Sequence, residues 1–137
     1  MRLFLDSSAF AKRFLDEPGS QKVERLCLQA DELGLSVICV PEIISALNRR
    51  LREGHLTRQE YAHAKRCMAF DVRDADIVNL TPDIIQLSIG VLERHPLRAM
   101  DAIHVACALA WAADLFASSD LRQVTAAKAA GLRTEQA

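Results

Sequence analysis

Apolar and polar positions along this chain follow two different periods. Short apolar runs of strand length occur at Arg2–Leu5, Leu35–Val40, Ile77–Leu80 and Leu115–Ala117. Near-continuous runs of this kind suit strands buried on both faces of a parallel sheet. Between them, apolar residues recur at helical spacing. Val23, Leu26, Cys27, Ala30 and Leu33 form one stripe, with Ser20 as its candidate N-cap and Gly34 as its stop. Ile43, Ile44, Leu47 and Leu51 form a second, opened by Pro41 and stopped at Gly54. Thr57 and Glu60 match a capping box for a third helix running to about Phe70. Thr81-Pro82 opens a fourth that directs Ile84, Ile85, Leu87, Val91 and Leu92 inward and ends before Pro96. The segment from about Ala99 to Ala112 is nearly all apolar and predicts a deeply packed central helix. A last helix spans about Leu121 to Ala130, with Gly131 as its C′ residue. Strands alternating with helices predict an α/β fold, a three-layer sandwich with a central parallel β-sheet and helices on both faces.

Composition narrows the class. At 137 residues, half of them apolar and 26% charged, the chain predicts a single domain over residues 1–137 with one substantial core. That balance excludes a disordered or low-complexity protein. The longest run free of polar residues, Val105–Ala113, falls well short of the roughly 20 a membrane helix needs. Asp6 interrupts the first apolar run too early for a signal-peptide core, which points to a cytoplasmic protein. Cys27, Cys39, Cys67 and Cys107 are scattered in apolar contexts, without a CxxC pair, and read as structural thiols that behave as small hydrophobes, not as zinc ligands or disulfides. A formal net charge of −1 announces no polyanion partner, so any such partner needs a local basic patch.

The chemistry lies in the placement of four acids. Asp6 ends the first strand, Glu42 lies in the first turn of a helix, Asp101 interrupts the apolar helix, and Asp120 follows the last apolar strand. In an open parallel sheet the carboxyl ends of strands and the N-termini of helices share one edge, where ligands bind. Each acid alone can be a helix cap or dipole partner. Together they predict a cluster that stays ionised only if a cation compensates it. Oxygen donors without a Cys/His group favour a hard ion, Mg²⁺ or Mn²⁺, which suits phosphodiester hydrolysis.

The motifs Leu5-Asp6-Ser7-Ser8-Ala9, Pro41-Glu42, Leu97-Arg98-Ala99-Met100-Asp101-Ala102-Ile103-His104 and Ala117-Ser118-Ser119-Asp120 resemble those of a PIN domain. The likeness is to the VapC type, the toxin half of toxin–antitoxin pairs, and extends over essentially the whole chain. It implies a metal-dependent endoribonuclease with Asp6, Glu42, Asp101 and Asp120 as its acidic cluster. Asp6 and Asp101 would be direct metal ligands, and Ser7 and Ser119 would be supporting hydroxyls. Some relatives carry a further acid just after the fourth, where this chain has Leu121-Arg122-Gln123. His104 lies one turn beyond Asp101 and reads as a structural or supporting residue.

The resemblance also implies an RNA substrate such as tRNA or another structured RNA, a homodimer, and a cognate antitoxin that enters the acidic groove. Lys12, Arg13, Arg49, Arg50, Arg52, Arg94 and Arg98 are the basic residues placed to meet phosphates. With one Trp and one Tyr, base stacking has few platforms. Phe10, Phe14 and the apolar positions of residues 43–51 are candidates for antitoxin contact, with core packing the simpler use. Three other readings stand beside the nuclease. They are a non-catalytic PIN-like binding module, an aspartyl phosphatase (weakened by Ser8, where that chemistry wants a second acid), and a DNA-directed nuclease with the same cluster.

Overall fold

The computed structural model describes residues 1–137. Five strands, β1 (Arg2–Leu5), β2 (Glu32–Ser36), β3 (Asp76–Val78), β4 (Leu115–Ser118) and β5 (Thr134–Gln136), form one sheet in the order β3-β2-β1-β4-β5. All four pairings are parallel. Seven helices connect them: α1 (Ser7–Ala11), α2 (Ser20–Gln29), α3 (Cys39–Arg52), α4 (Arg58–Arg73), α5 (Pro82–Arg94), α6 (Ala99–Ala110) and α7 (Leu121–Ala129).

The alternation of side chains along β1 divides the interior in two. Leu3 and Leu5 enter a core built with Phe10, Val23, Ile43, Leu47 and Met68, so α1 to α4 cover that face. Phe4 points the other way, into a core with Val91, Val105, Ala106 and Phe116 beneath α5, α6 and α7. The result is the expected three-layer sandwich. The chain moves outward from β1 to β2 and β3, then returns to the other side of β1 for β4 and β5. That reversal creates a switch point between β1 and β4, at whose carboxyl edge open α/β sheets bind ligands.

Several boundaries differ from the sequence expectation, for identifiable reasons. Strand β2 begins at Glu32, so Leu33 and Gly34 belong to the strand and α2 ends at Gln29. Gly34 is needed for close approach: a Cβ there would lie 2.7 Å from Cε3 of Trp111. Helix α3 starts at Cys39, and Pro41 is tolerated in the first turn because the leading N–H groups have no helical acceptor. The residue before α2 is Gly19; the Ser20 hydroxyl instead accepts from Glu17 N–H and donates to the Leu15 carbonyl. Thr57 and Glu60 form the predicted capping box, and Thr81 caps α5 ahead of Pro82. Gly131 follows the C-cap of α7 at φ +102°, a conformation in which glycine is unstrained.

Helix α5 departs most from its predicted stripe. Ile84, Ser88 and Val91 face the core, whereas Ile85, Leu87 and Leu92 are 41, 41 and 37% exposed. Only one face of α5 meets α6, and Ile85, Ile89 and Leu92 line an adjacent outward face. Phe10 is fully buried and packs edge-on against Phe14 at 4.9 Å, which assigns it to the core and away from partner contact. No helix is long and apolar enough to cross a membrane.

Candidate active site

The carboxyl edge at the switch point is where the four acids meet. A cleft of about 530 Å³ is lined by Asp6, Glu42, Asp101 and Asp120, with Ser7 and Ser119 beside them. Asp6 caps α1, Glu42 sits in the first turn of α3, Asp101 in the first turn of α6, and Asp120 caps α7. Four helix starts therefore converge, and their positive dipole ends partly offset the gathered negative charge.

Each acid has its own set of donors. Asp6 is 1% exposed. It accepts from Ala9 N–H at 2.9 Å, from the Ser8 hydroxyl at 2.8 and 2.9 Å, and from the Ser118 hydroxyl at 2.7 Å. Those two hydroxyls are themselves fixed, because Ser8 Oγ accepts from Ser119 N–H and Ser118 Oγ accepts from Asp120 N–H. Glu42 Oε1 accepts from the Ser7 hydroxyl at 2.7 Å and lies 2.6 Å from His104 Nε2. Asp101 Oδ1 accepts from Gln123 Nε2 at 3.1 Å. Asp120 accepts from Arg122 N–H at 2.9 Å.

The hydroxyl assignments read from sequence change accordingly. Ser7 does support an acid, and that acid is Glu42. Ser119 places its hydroxyl against no acid; its Oγ is buried without a partner, and its main-chain N–H serves Ser8. The residues missed are Ser8, Ser118 and Gln123. Ser8 lies two residues after Asp6, a spacing at which a serine hydroxyl reaches a capping carboxylate, whereas Ser118 reaches Asp6 only across the pairing of β1 with β4. Gln123 carried no such signal, because its contact depends on how α7 packs against α6.

Electrostatics separate the acids. Burial raises the proton affinity of Glu42, but donation from His104 and Ser7 outweighs it and holds this carboxyl below its usual value. Asp101 is shifted upward, first by burial and then by the charges of Asp120, Glu42 and Asp6, with His104 opposing. A carboxylate crowded by like charges gains from a nearby cation.

No three His, Cys, Asp or Glu side chains lie close enough to form a ready coordination sphere. The donor set nevertheless fits a hard cation. It consists of carboxylate oxygens, Asp101 is crowded by negative neighbours, and Asp6 accepts from three donors with about one acceptor position to spare. Of the basic residues, Lys12, Arg49, Arg50 and Arg98 line the cleft. Arg13 is instead held by Asp71 at 2.5 Å and Glu24 at 3.1 Å.

Known proteins share both the sequence and the fold. The model of the PIN domain matches residues 3–129. The chain belongs to the PIN-domain family. Its VapC branch is indicated by two relatives from Mycobacterium tuberculosis, Ribonuclease VapC45 of strain CDC 1551 and Ribonuclease VapC49 of strain H37Rv. Each is 34% identical to this PIN domain over 137 residues, covering 98% of the chain and 95% of the relative. The fold matches solved VapC structures. M. tuberculosis VapC20, described as a sarcin–ricin loop cleaving toxin, superposes with a TM-score of 0.72 at 18% identity, over 98% of this chain and 99% of the other. VapBC2 of Rickettsia felis, bound to a promoter DNA fragment, gives a TM-score of 0.72 at 9% identity over 100% and 99%.

Proposed function

We propose that this chain is a divalent-metal-dependent endoribonuclease that hydrolyses RNA phosphodiester bonds as the toxin of a type II toxin–antitoxin pair. The observation that carries the reading is the convergence of Asp6, Glu42, Asp101 and Asp120 on one cleft. The names of the 34%-identical relatives support RNA as the substrate. Asp6 and Asp101 would hold Mg²⁺ or Mn²⁺, which when bound polarises a phosphate and acidifies water. The chain's own residues do the rest. Ser8 and Ser118 fix the Asp6 carboxylate, Gln123 orients Asp101, and Glu42 and Asp120 complete the pocket and help orient the attacking water. Arg49 and Arg98 form no ion pair within the chain and line the cleft, so they are free to hold phosphates on either side of the scissile bond.

Partners follow the same reading. VapBC complexes among the structural neighbours support a cognate antitoxin. The outward apolar face of α5, with Ile85, Ile89 and Leu92, supports a homodimer. The test is incubation of the purified protein with a pool of structured RNAs, tRNA included, and with DNA of matched sequence, each with Mg²⁺, Mn²⁺ or EDTA. Metal-dependent cutting of RNA alone is expected. Cutting of the DNA with equal efficiency would replace the reading with a DNA-directed nuclease, and no cutting of either would leave a binding module.

A further inference from the structure

The pocket contains a contact that a simple carboxylate cluster does not require. Ser7 on α1, Glu42 on α3 and His104 on α6 meet at a single oxygen. Ser7 Oγ lies 2.7 Å and His104 Nε2 2.6 Å from Glu42 Oε1, and the serine and histidine atoms are 3.1 Å apart. Glu42 Oε2 has no hydrogen-bond partner within the chain. Helices α1 and α3 belong to one outer layer of the sandwich and α6 to the other, so the contact bridges the layers at the edge of the sheet.

The geometry fixes who donates. His104 is 1% exposed, and its Nδ1 is buried without a partner. With a proton on Nε2, the ring donates to the carboxylate. With the proton on Nδ1, two lone pairs would face each other at 2.6 Å and a buried N–H would be stranded. The Ser7 hydroxyl then gives its single proton to the same carboxylate oxygen. Both donors are spent on Oε1.

A carboxylate is symmetric, and a free one presents either oxygen or both. We infer that Ser7 and His104 are positioning residues that clamp one oxygen of Glu42, so that this carboxylate presents a single fixed oxygen, Oε2, to the substrate cleft. The inference rests on the nuclease reading, in which Glu42 orients the attacking water. A fixed oxygen offers that water one acceptor in one direction, which is what orientation requires. Without the clamp, Glu42 stays in the cleft but its free oxygen wanders.

The test measures cleavage of one structured RNA in Mn²⁺ and Mn²⁺ affinity by electron paramagnetic resonance, together with nitrogen-detected spectra of the His104 ring in metal-free protein. The variants are Ser7→Ala, His104→Leu, His104→Gln and Glu42→Gln, and the first two combined with Glu42→Gln. Loss of an outer hydrogen bond at a metal site typically costs about 10–100-fold in affinity or activity. Ser7→Ala and His104→Leu are expected to slow cleavage by about 10-fold while Mn²⁺ affinity stays within about two-fold, because Asp6 and Asp101 hold the metal, and His104→Gln, which keeps an N–H donor, to restore most of the rate. In the Glu42→Gln background both changes in rate should lie within about two-fold. The ring should show a proton on Nε2, with its signal moved upfield by Glu42→Gln. Equal losses with and without Glu42, or a ring without a proton on Nε2, would overturn the clamp and leave His104 as packing. Failure of the nuclease reading looks different: wild type would cut no RNA and bind no Mn²⁺ while the ring signature persisted, which overturns the clamp's role along with that reading.

Discussion

Asp6→Asn and Asp101→Asn each remove one charge from the same cleft, yet they are expected to shift stability in opposite directions. Asp6 is buried and accepts from Ala9 N–H and from two serine hydroxyls. The amide introduced by Asp6→Asn keeps one oxygen for the Ala9 N–H and the Ser8 hydroxyl, but its NH₂ group faces Ser118. The Ser118 hydroxyl already accepts from Asp120 N–H at 3.0 Å, so it must turn its own proton away and accept a second time, and a buried charge-assisted bond is lost. That loss costs about 1–3 kcal/mol. Unfolding entropy of about 2.1 cal/mol/K per residue gives roughly 3.5 °C per kcal/mol for a chain of this length, a fall in Tm of about 3–10 °C. Asp101→Asn keeps its carbonyl oxygen for Gln123 and removes a charge crowded by Asp120, Glu42 and Asp6. The gain is under about 1 kcal/mol, because Asp101 is only part-buried and solvent screens it. The sign follows from linkage. The carboxyl of Asp101 sits above its ordinary value of 3.8 in the folded state. The folded chain thus binds that proton more tightly, and ionisation erodes stability as pH rises from 3.8 through the raised folded value. The advantage of Asp101→Asn should be full at neutral pH and fade as pH falls through that interval. Thermal unfolding followed by circular dichroism in EDTA measures both variants. An Asp6→Asn protein as stable as wild type, or an Asp101→Asn protein clearly less stable at pH 7, would refute the assignment of donors at this site.

Three further outcomes follow from the packing. Gly34→Ala places a methyl 2.7–2.9 Å from three ring carbons of Trp111, whose indole N–H reaches Asp76 and whose face carries Arg2. A loss of about 1–3 kcal/mol is expected in denaturant titration, and an unchanged midpoint would contradict the close approach. A thiol reagent at neutral pH should modify Cys67 first, while Cys39, pushed up to about 12 by burial, and buried Cys107 react only on unfolding. Rapid labelling of Cys39 in the native state would contradict its burial. Ile89→Glu, on the outward face of α5, should turn the proposed homodimer into a monomer in sedimentation without lowering Tm, and an unchanged sedimentation coefficient would contradict an interface on this face.

The central elements were legible because their signals are local. Leu3 to Leu5 and Leu115 to Ala117 are apolar throughout, since both faces of a central parallel strand are covered. Thr57, Thr81 and Gly131 punctuate helices by chemistry confined to one turn. Strand β5, Thr134–Gln136, left no trace, because an edge strand of polar residues has no apolar run. The boundary near Gly34 misled for the opposite reason. A glycine there reads as a helix stop, but it is required by Trp111, which is distant in the chain. The acids divide in the same way. Asp6, Glu42, Asp101 and Asp120 could be brought together from topology alone, since each ends a strand or begins a helix. Their hydrogen-bond partners depend on rotamers and on helix packing, which periodicity does not encode, so Ser118 and Gln123 emerged only from the structure.

If the acidic cleft cuts RNA through a bound divalent ion, Asp101→Asn tests that chemistry most directly. This variant is expected to fold at least as well as wild type, so lost activity cannot be laid to unfolding. Wild type and variant are compared at equal concentration on one structured RNA that wild type cuts, in Mg²⁺, in Mn²⁺ and in EDTA. The expected result is cutting by wild type with either metal, none in EDTA, and a loss of at least about 100-fold in the variant with either metal. Cutting by wild type in EDTA, or by Asp101→Asn at near wild-type rate, would contradict it.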